Sequence, residues 1–577
     1  MEKIADSIEA KKEIAVLIAE AMKYAFGIEM ANVEKKLGLP PKTDMGDFAF
    51  PCFEYTKILK KSPTVIAQML KEVMGQNGEN VVEKAEAVGG YLNLFLKRKE
   101  YAAAVVEAAG QKGYGSPADG YGKSICMDYS SPNIAKNFHV GHLRTTIIGN
   151  SLAKIFVKNG YQVIRMNHLG DWGTQFGKLI TAYRLWSSKE MVEQGGIDEL
   201  LRIYVKFDTE AEQKPELNDL AREWFAKMEH GDEDALAIWK WFKEISLREF
   251  EAVYKMLGVE FDSWNGESFY VEQVPELVEE LNEKGLLTES EGAEIVSLDA
   301  YDMPPCLIRK KDGSTIYHSR DLAAAKYRKK TYDFAQCLYI TGMEQKLHFA
   351  QIFQTLKLMG YDWADTCHHI PYGLVSMAGA KLSTRKGNVI YAEDILQEAI
   401  ARAEAAIEEK NPQLEQKKET AKQIGVGAVI FHDLSNQLIR NVNFSWEEML
   451  NFDGMTAPYI QYTHARACSI LRKHQAELAE RAVDIGVYLT DEVSYSLVGQ
   501  IGRYKEAVKE AAETYEPCVI ARYAYRLAVL YNQFYQTHRV ADAKQEVKQA
   551  RLVLTAAVCN VIKDAMGLLG VECPEKM

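Results

Sequence analysis

The sequence predicts an α/β domain built on a parallel sheet, interrupted by a helical insertion, preceded by a small α+β unit and followed by an all-α bundle. Three observations predict it. Short apolar runs alternate with helix-periodic stretches through the middle of the chain, the pattern of βαβ units. Residues from 186 to 260 are rich in Glu, Lys and Trp at helical spacing. Beyond residue 424 the periodicity is helical almost throughout.

The elements follow in order. Near the start, Ile14, Leu17, Ile18, Ala21 and Ala25 form one apolar helix face, and Gly27 is its natural stop. The Gly-rich stretch 111–123 (QKGYGSPADGYGK) reads as a loop closing a first unit over 1–115. SICMDYS (124–130) reads as a strand. Ile148, Leu152, Ile155 and Phe156 give the next helix, and YQVIRMNHL (161–169) returns as a second strand. Asp312-Gly313 is a hairpin turn signal between CLIRK and STIYH, placing Tyr317 late in a strand and Asp321 at the entry of a helix. CLYITG (337–342) and IPYGLVSM (370–377) are further strands around a helix from Lys346 to Met359. The polar run 408–423 separates the middle unit, 116–415, from the helical tail, 416–577.

Composition bounds the function. A chain of 577 residues with 47% hydrophobic and 26% charged side chains folds as a globular protein of several units. It has no apolar run of about 18 residues, and its start is charged, so neither a spanning helix nor a secretory signal is expected. With 69 cations against 81 anions, any nucleic acid must be met by local contacts, because the global field repels it. The nine cysteines never form C-x-x-C, which suits reduced thiols in a cytoplasm better than disulfides or a zinc ribbon.

Ligands of a parallel sheet bind beyond the strand C-termini, so the loops there carry the chemistry. Gly122-Lys123-Ser124 is a decoy for a phosphate loop: Pro117 stands where the earlier glycine belongs, and a strand follows instead of a helix. The stretch after the first strand is different. Pro132 and Asn133 turn the chain, and His139-Val-Gly-His142 enters a helix whose N-terminus favours phosphate. Gly141 would let a flat ring approach the backbone. Two capped surface histidines are the plain alternative, and a metal pair lacks a third ligand at sensible spacing. Far downstream, KLSTRKGN (381–388) puts three cations and two hydroxyls on a glycine-flanked loop, which suits a clamp on polyphosphate. A solvated basic loop is the alternative there.

Together, in this order, the two motifs resemble the HIGH and KMSKS signatures of class I aminoacyl-tRNA synthetases. Val140 and Leu382 are mild apolar swaps, whereas Thr384 stands where the second signature lysine belongs; Lys386 follows two positions later as the candidate for that charge. DYSSPNIAKNFHVGHLRTTIIG (128–149), NHLGDWGTQFG (167–177), DGSTIYHSRDLA (312–323) and STRKGN (383–388) resemble the arginyl-tRNA synthetases, and so does FSWEEMLNFDGMTAPYIQYTHARACSIL (444–471). In the first unit, GDFAFPCF (46–53) and GGYLNLFL (89–96) are similar to that family's extra N-terminal domain.

The resemblance implies a Rossmann-like catalytic domain that ligates L-arginine to tRNA(Arg) through arginyl-adenylate. ATP with Mg²⁺ is the expected nucleotide, with no dedicated protein metal site, in a cytoplasmic monomer that meets no membrane. His139 and His142 would donate to the phosphates; Lys381, Ser383 and Lys386 would tighten on pyrophosphate. A guanidinium is planar and always charged, so carboxylates and an aromatic face read it best. The resemblance gives that task to Tyr317 and Asp321, with Glu267 as a second carboxylate; an N-cap role for Asp321 and a core role for Tyr317 are the alternatives. Asn133 and Gln345 would hold the substrate's backbone groups, with Asp128 beside them, and His168 would line the pocket or simply pack. In the tail, Tyr459, Tyr462 and Arg466 share one helix face, either as a stacking surface for bases or as core, and Met577 is a further candidate contact to the anticodon.

Overall fold

The computed structural model describes residues 4–74, 81–311, 313–377, 380–381, 391–479, 484–540 and 542–577. The first helix, Ser7–Phe26, begins where the Asp6 carboxylate accepts from the Ile8 and Glu9 amides and stops at Gly27, whose φ is 68°. It packs on the helix Pro63–Met74, which covers an antiparallel sheet ordered β1-β3-β2, with β1 Phe48–Pro51, β2 Val82–Val88 and β3 Tyr91–Leu96.

The middle of the chain forms the expected parallel sheet: β4 Ser124–Asp128, β5 Gln162–Met166, β9 Gln336–Gly342 and β10 Cys367–Tyr372. The strand order is β10-β9-β4-β5, and all neighbours run parallel. The order reverses between β4 and β9, so the crevice beyond their C-terminal ends is the natural ligand site. The helical stretches Lys189–Gln213, broken at Gly196 with φ 53°, Glu216–Glu229 and Glu233–Leu257 make up the insertion. A small antiparallel sheet of β6 Leu287–Ser290, β7 Ala293–Val296 and β8 Cys306–Arg309 follows it.

Two local expectations change. After β8 the chain turns back, with Arg309 bridging Thr315 and the Lys310 amide donating to Ser314 O, but among the described residues no second strand follows; Asp312 lies outside them. The helix instead starts at Tyr317 and runs to Tyr332, because Ser319 caps it: its hydroxyl accepts from the Ile316 amide at 3.2 Å. Tyr317 is therefore the first helical residue and 52% exposed, while Asp321 lies in the second turn and caps nothing. The run 370–377 also divides at Gly373-Leu374 into the end of β10 and a separate strand, β11 Val375–Met377. β11 pairs antiparallel with β12 Ala380–Lys381 and parallel with β13 Val442–Phe444.

The tail is a helical bundle of Lys417–Leu434, Ala457–Lys473, Glu492–Gly502, Tyr504–Thr514, Cys518–Thr537 and Gln545–Leu568. The first of these lies along Ala392–Lys410, and residues 411–416 turn the chain between the two. The N-terminal unit docks on the bundle as well. Arg98 covers the Tyr495 ring at 4.5 Å, and Lys505 reaches Asp6 at 3.0 Å. Among the described residues no helix is long and apolar enough to cross a membrane.

Candidate active site

The loop after β4 is strained and tightly held. Ser130, Ser131 and Ala135 adopt φ of 72°, 46° and 60°, in the left-handed region that side chains resist. Hydrogen bonds hold them there: Asn167 accepts from the Ser131 amide at 3.1 Å, and the Ser246 hydroxyl accepts from the Ala135 amide at 3.0 Å. The loop delivers the chain to His139, which caps the helix Val140–Lys158 by accepting from the Gly141 amide at 3.1 Å.

His139 and His142 stack, with centroids 3.8 Å apart and planes 17° from parallel. A Cβ on residue 141 would lie 2.9 Å from the His139 ring, so this fold-back requires glycine. Burial, helped by Lys136, lowers the His139 pKa. His142 lies well below the usual imidazole range through burial, its neighbour His139 and Lys136. Both rings are neutral at pH 7, and His142 Nδ1 is buried without a hydrogen-bond partner. Two residues further along the helix, Arg144 is fully buried. It donates to the carbonyls of Gly373 at 2.7 Å and Arg440 at 2.9 Å, and its Nε lies 3.2 Å from Asp433. The helix that carries the histidines is thereby fastened to the β10–β11 turn and to the tail.

Leu382, Ser383, Thr384 and Lys386 lie outside the described residues, and Lys381 is placed only as backbone of β12. Both flanks of that stretch are placed, however. β11 and β12 lead into it, and at its far end Tyr391 bridges His139 while the Ala392 amide donates to Phe138 O at 2.9 Å.

Across the crevice, Tyr317, Asp321 and His348 converge. Tyr317 and Asp321 are one turn apart on a helix face. His348 Nε2 lies 2.7 Å from Asp321 Oδ2, the Tyr317 and His348 ring centroids are 5.1 Å apart, and His168 Nε2 is 3.5 Å from Asp321 Oδ1. Burial raises the Asp321 pKa, but the hydrogen bond from His348 and the nearby His168 outweigh it, leaving the carboxyl below its usual range. Glu267 pairs with Arg320 at 2.8 Å, and burial, only partly offset by Arg320 and His168, raises its pKa. Its position is set by Asp171, which is wholly buried and accepts from the Ser268 amide at 2.9 Å and from Lys243 at 2.6 Å.

Asn133 and Gln345 are exposed at the crevice ends of β4 and β9. Asp128, beside them, is already engaged. Its two oxygens meet Arg328 at 2.7 Å and the Ser131 hydroxyl at 2.9 Å, so the substrate would have to share it. His348 and Asp171 escaped the sequence reading, because only the packing of separate segments pairs them with Asp321 and Ser268.

This geometry has close relatives. The family model for tRNA synthetases class I (R), catalytic domain, matches residues 104–446. The chain belongs to the arginyl-tRNA synthetases. The N-terminal domain model of the arginyl-tRNA synthetases matches 12–96, and the DALR anticodon binding domain matches 460–577. The arginine–tRNA ligase of Clostridium perfringens is 50% identical over 97% of this chain and 99% of its own length. That of Alkaliphilus metalliredigens is 47% identical over 96% and 97%. The Thermus thermophilus arginyl-tRNA synthetase superposes with a TM-score of 0.81 at 25% identity, covering 98% of this chain and all of that one. The Plasmodium falciparum arginyl-tRNA synthetase shares the fold, with a TM-score of 0.82 at 23% identity over 98% and 99% of the two chains.

In this synthetase the tail residues occupy distinct settings. Tyr462 is 46% exposed, with the Arg466 guanidinium 4.8 Å from its ring. Arg466 also donates to Asn532 at 2.9 Å, and Asn532 donates to the half-buried Tyr459 hydroxyl at 2.9 Å. Tyr462 is thus a surface ring and Tyr459 its anchored neighbour. The Met577 side chain packs against the cluster of Ala403, Ile407, Ala421 and Ile424, and its backbone oxygen accepts from Asn411 at 3.2 Å, so it is partly occupied in holding the tail closed.

Proposed function

We propose that the crevice between β4 and β9 activates L-arginine on ATP and that the helical tail presents tRNA(Arg) to it. As an arginyl-tRNA synthetase the chain ligates arginine to tRNA(Arg) at the expense of ATP. The arginine carboxylate attacks the α-phosphorus, the bond to pyrophosphate breaks, and arginyl-adenylate forms. A 3′-terminal ribose hydroxyl of the tRNA then attacks the carbonyl carbon and AMP leaves. No protein nucleophile is required; positioning and charge stabilisation supply the catalysis.

The observation that carries the site reading is the stacked, uncharged His139–His142 pair at a helix N-terminus, with a buried His142 nitrogen lacking a partner. Such a pair donates to phosphate oxygens with the helix amides behind it. Lys381, Ser383 and Lys386 would neutralise the departing pyrophosphate. The ionised Asp321, the Tyr317 ring and Glu267 would hold the guanidinium, while Asn133, Gln345 and Asp128 would orient the α-amino and carboxylate groups. ATP would bring Mg²⁺ with it, which would supply charge neutralisation. Tyr459, Tyr462, Arg466 and Met577 would meet the anticodon. Residues 1–115, 116–415 and 416–577 act as tRNA-contacting, catalytic and anticodon-binding units of a cytoplasmic monomer. ATP–pyrophosphate exchange with each amino acid, with and without tRNA, tests the reading: arginine alone should support exchange, and His142→Ala should abolish it without unfolding the chain.

A further inference from the structure

Two helices of the bundle bring three soft donors together within the tail. His464 and Cys468 are one turn apart on Ala457–Lys473, and Cys559 faces them from Gln545–Leu568. Their donor atoms lie within 4.8 Å of one another. Cys468 Sγ is 3.1 Å from Cys559 Sγ and 3.6 Å from His464 Nε2. All three residues are buried.

The imidazole already holds the tautomer a ligand needs; Cys468 Sγ, 3.8 Å from Nδ1 and 3.6 Å from Nε2, lies to the side of the Nε2 lone pair, so the ring turns slightly to meet an ion. His464 Nδ1 lies 3.1 Å from the Pro574 carbonyl, which can only accept, so the proton sits on Nδ1 and the Nε2 lone pair is left for the sulfurs. A backbone carbonyl behind one ring nitrogen is the arrangement that fixes a metal-bound histidine. Thiols are weak donors, so two of them satisfy a buried imidazole lone pair poorly. Charge balance agrees: two thiolates neutralise one divalent ion, which lets a dry site hold it. Thiolates bound at about 2.3 Å to a tetrahedral ion sit roughly 3.8 Å apart, so the sulfurs need separate by less than about 1 Å. Cys573 directly precedes Pro574, so the segment that contacts His464 also brings another thiol to this end of the bundle.

We propose that His464 Nε2, Cys468 Sγ and Cys559 Sγ form a binding site for a thiolate-seeking divalent cation such as Zn²⁺. Uptake releases two thiol protons and requires no oxidant. The ion clamps the helix bearing Tyr459, Tyr462 and Arg466 to the last helix and, through Pro574, to the closing segment. The spacing of these residues in sequence conceals the site, because Cys468 and Cys559 are 91 positions apart.

The full chain, stripped with a chelator under a phosphine reductant, is titrated with Zn²⁺ against a chromogenic competitor and with Co²⁺ as the spectroscopic probe. One equivalent should bind, Co²⁺ should show a tetrahedral thiolate spectrum, and Zn²⁺ should raise the melting temperature. Affinity should fall about tenfold or more in Cys559→Ser and in His464→Asn. Absence of the thiolate spectrum, unchanged affinity in both variants, or a Cys468–Cys559 disulfide in a chain that ignores Zn²⁺ overturns the site. Should either variant fail to fold, the wild-type Co²⁺ spectrum decides alone.

Discussion

Replacing Asp321 by Asn tests the arginine pocket most directly. The carboxylate is ionised, one-fifth exposed, and flanked by His348 at 2.7 Å and His168 at 3.5 Å. The amide keeps the shape but removes the charge that would face a guanidinium. Losing one partner of a desolvated pair costs about 3–5 kcal/mol. The partial exposure points to the lower end, which corresponds to a fall of roughly 150-fold in kcat/KM for arginine. Exchange kinetics with saturating tRNA should show that loss, with the KM for ATP moving by less than about threefold. Helix capping cannot account for such a result, since Asp321 lies in the second turn of a helix that starts at Tyr317. The melting temperature should stay near that of the wild type. An unchanged arginine KM and kcat would refute the assignment.

Three further outcomes are expected. Lys381→Ala and Lys386→Ala should lower kcat for adenylate formation while leaving arginine affinity nearly intact, since their contacts strengthen only as pyrophosphate departs; normal exchange in both variants would place the clamp elsewhere. Tyr462→Ala should weaken tRNA binding by about 1–3 kcal/mol without altering its salt dependence. With this ring 46% exposed, the variant should melt like the wild type, and a destabilised chain with unchanged tRNA affinity would return the tyrosine to the core. His318 is buried and sits beside His348, which lowers its pKa from about 6.5 to about 4. The unfolded chain therefore binds its proton first, so this contribution is present in full above about pH 6.5 and is lost as pH falls towards 4, up to about 3 kcal/mol. His318→Gln should flatten the dependence of melting temperature on pH in that interval, and identical slopes would contradict the account.

Periodicity and motif spacing made much of the fold legible. The first helix, β4, β5 and β9, the insertion and the helical tail all follow from apolar repeats that packing then used as they stood. At Gly141 the structure shows a separate reason for glycine, since a Cβ there would meet the folded-back His139 ring. Local signals competed after β8: Asp312 lies outside the described residues, and around it the chain turns back with the Lys310 amide donating to Ser314 O, yet Ser319 offers the backbone a cap and the helix claims Tyr317. No local preference marks the break at Gly373-Leu374 either. It exists because Arg144, far earlier in the chain, collects those carbonyls.

The sequence by itself determined the class of chemistry, because the functional groups of each signature are neighbours in the chain and helix or loop geometry keeps them together. Only the tertiary structure decided which groups act on one another. His348 meets Asp321, Asp171 holds the segment of Glu267, Arg328 claims Asp128, and Cys559 reaches Cys468, each across tens to hundreds of residues. Such pairings depend on how apolar faces pack, and burial then sets the charge state of the groups enclosed. A linear pattern carries no record of either until the chain has closed on itself.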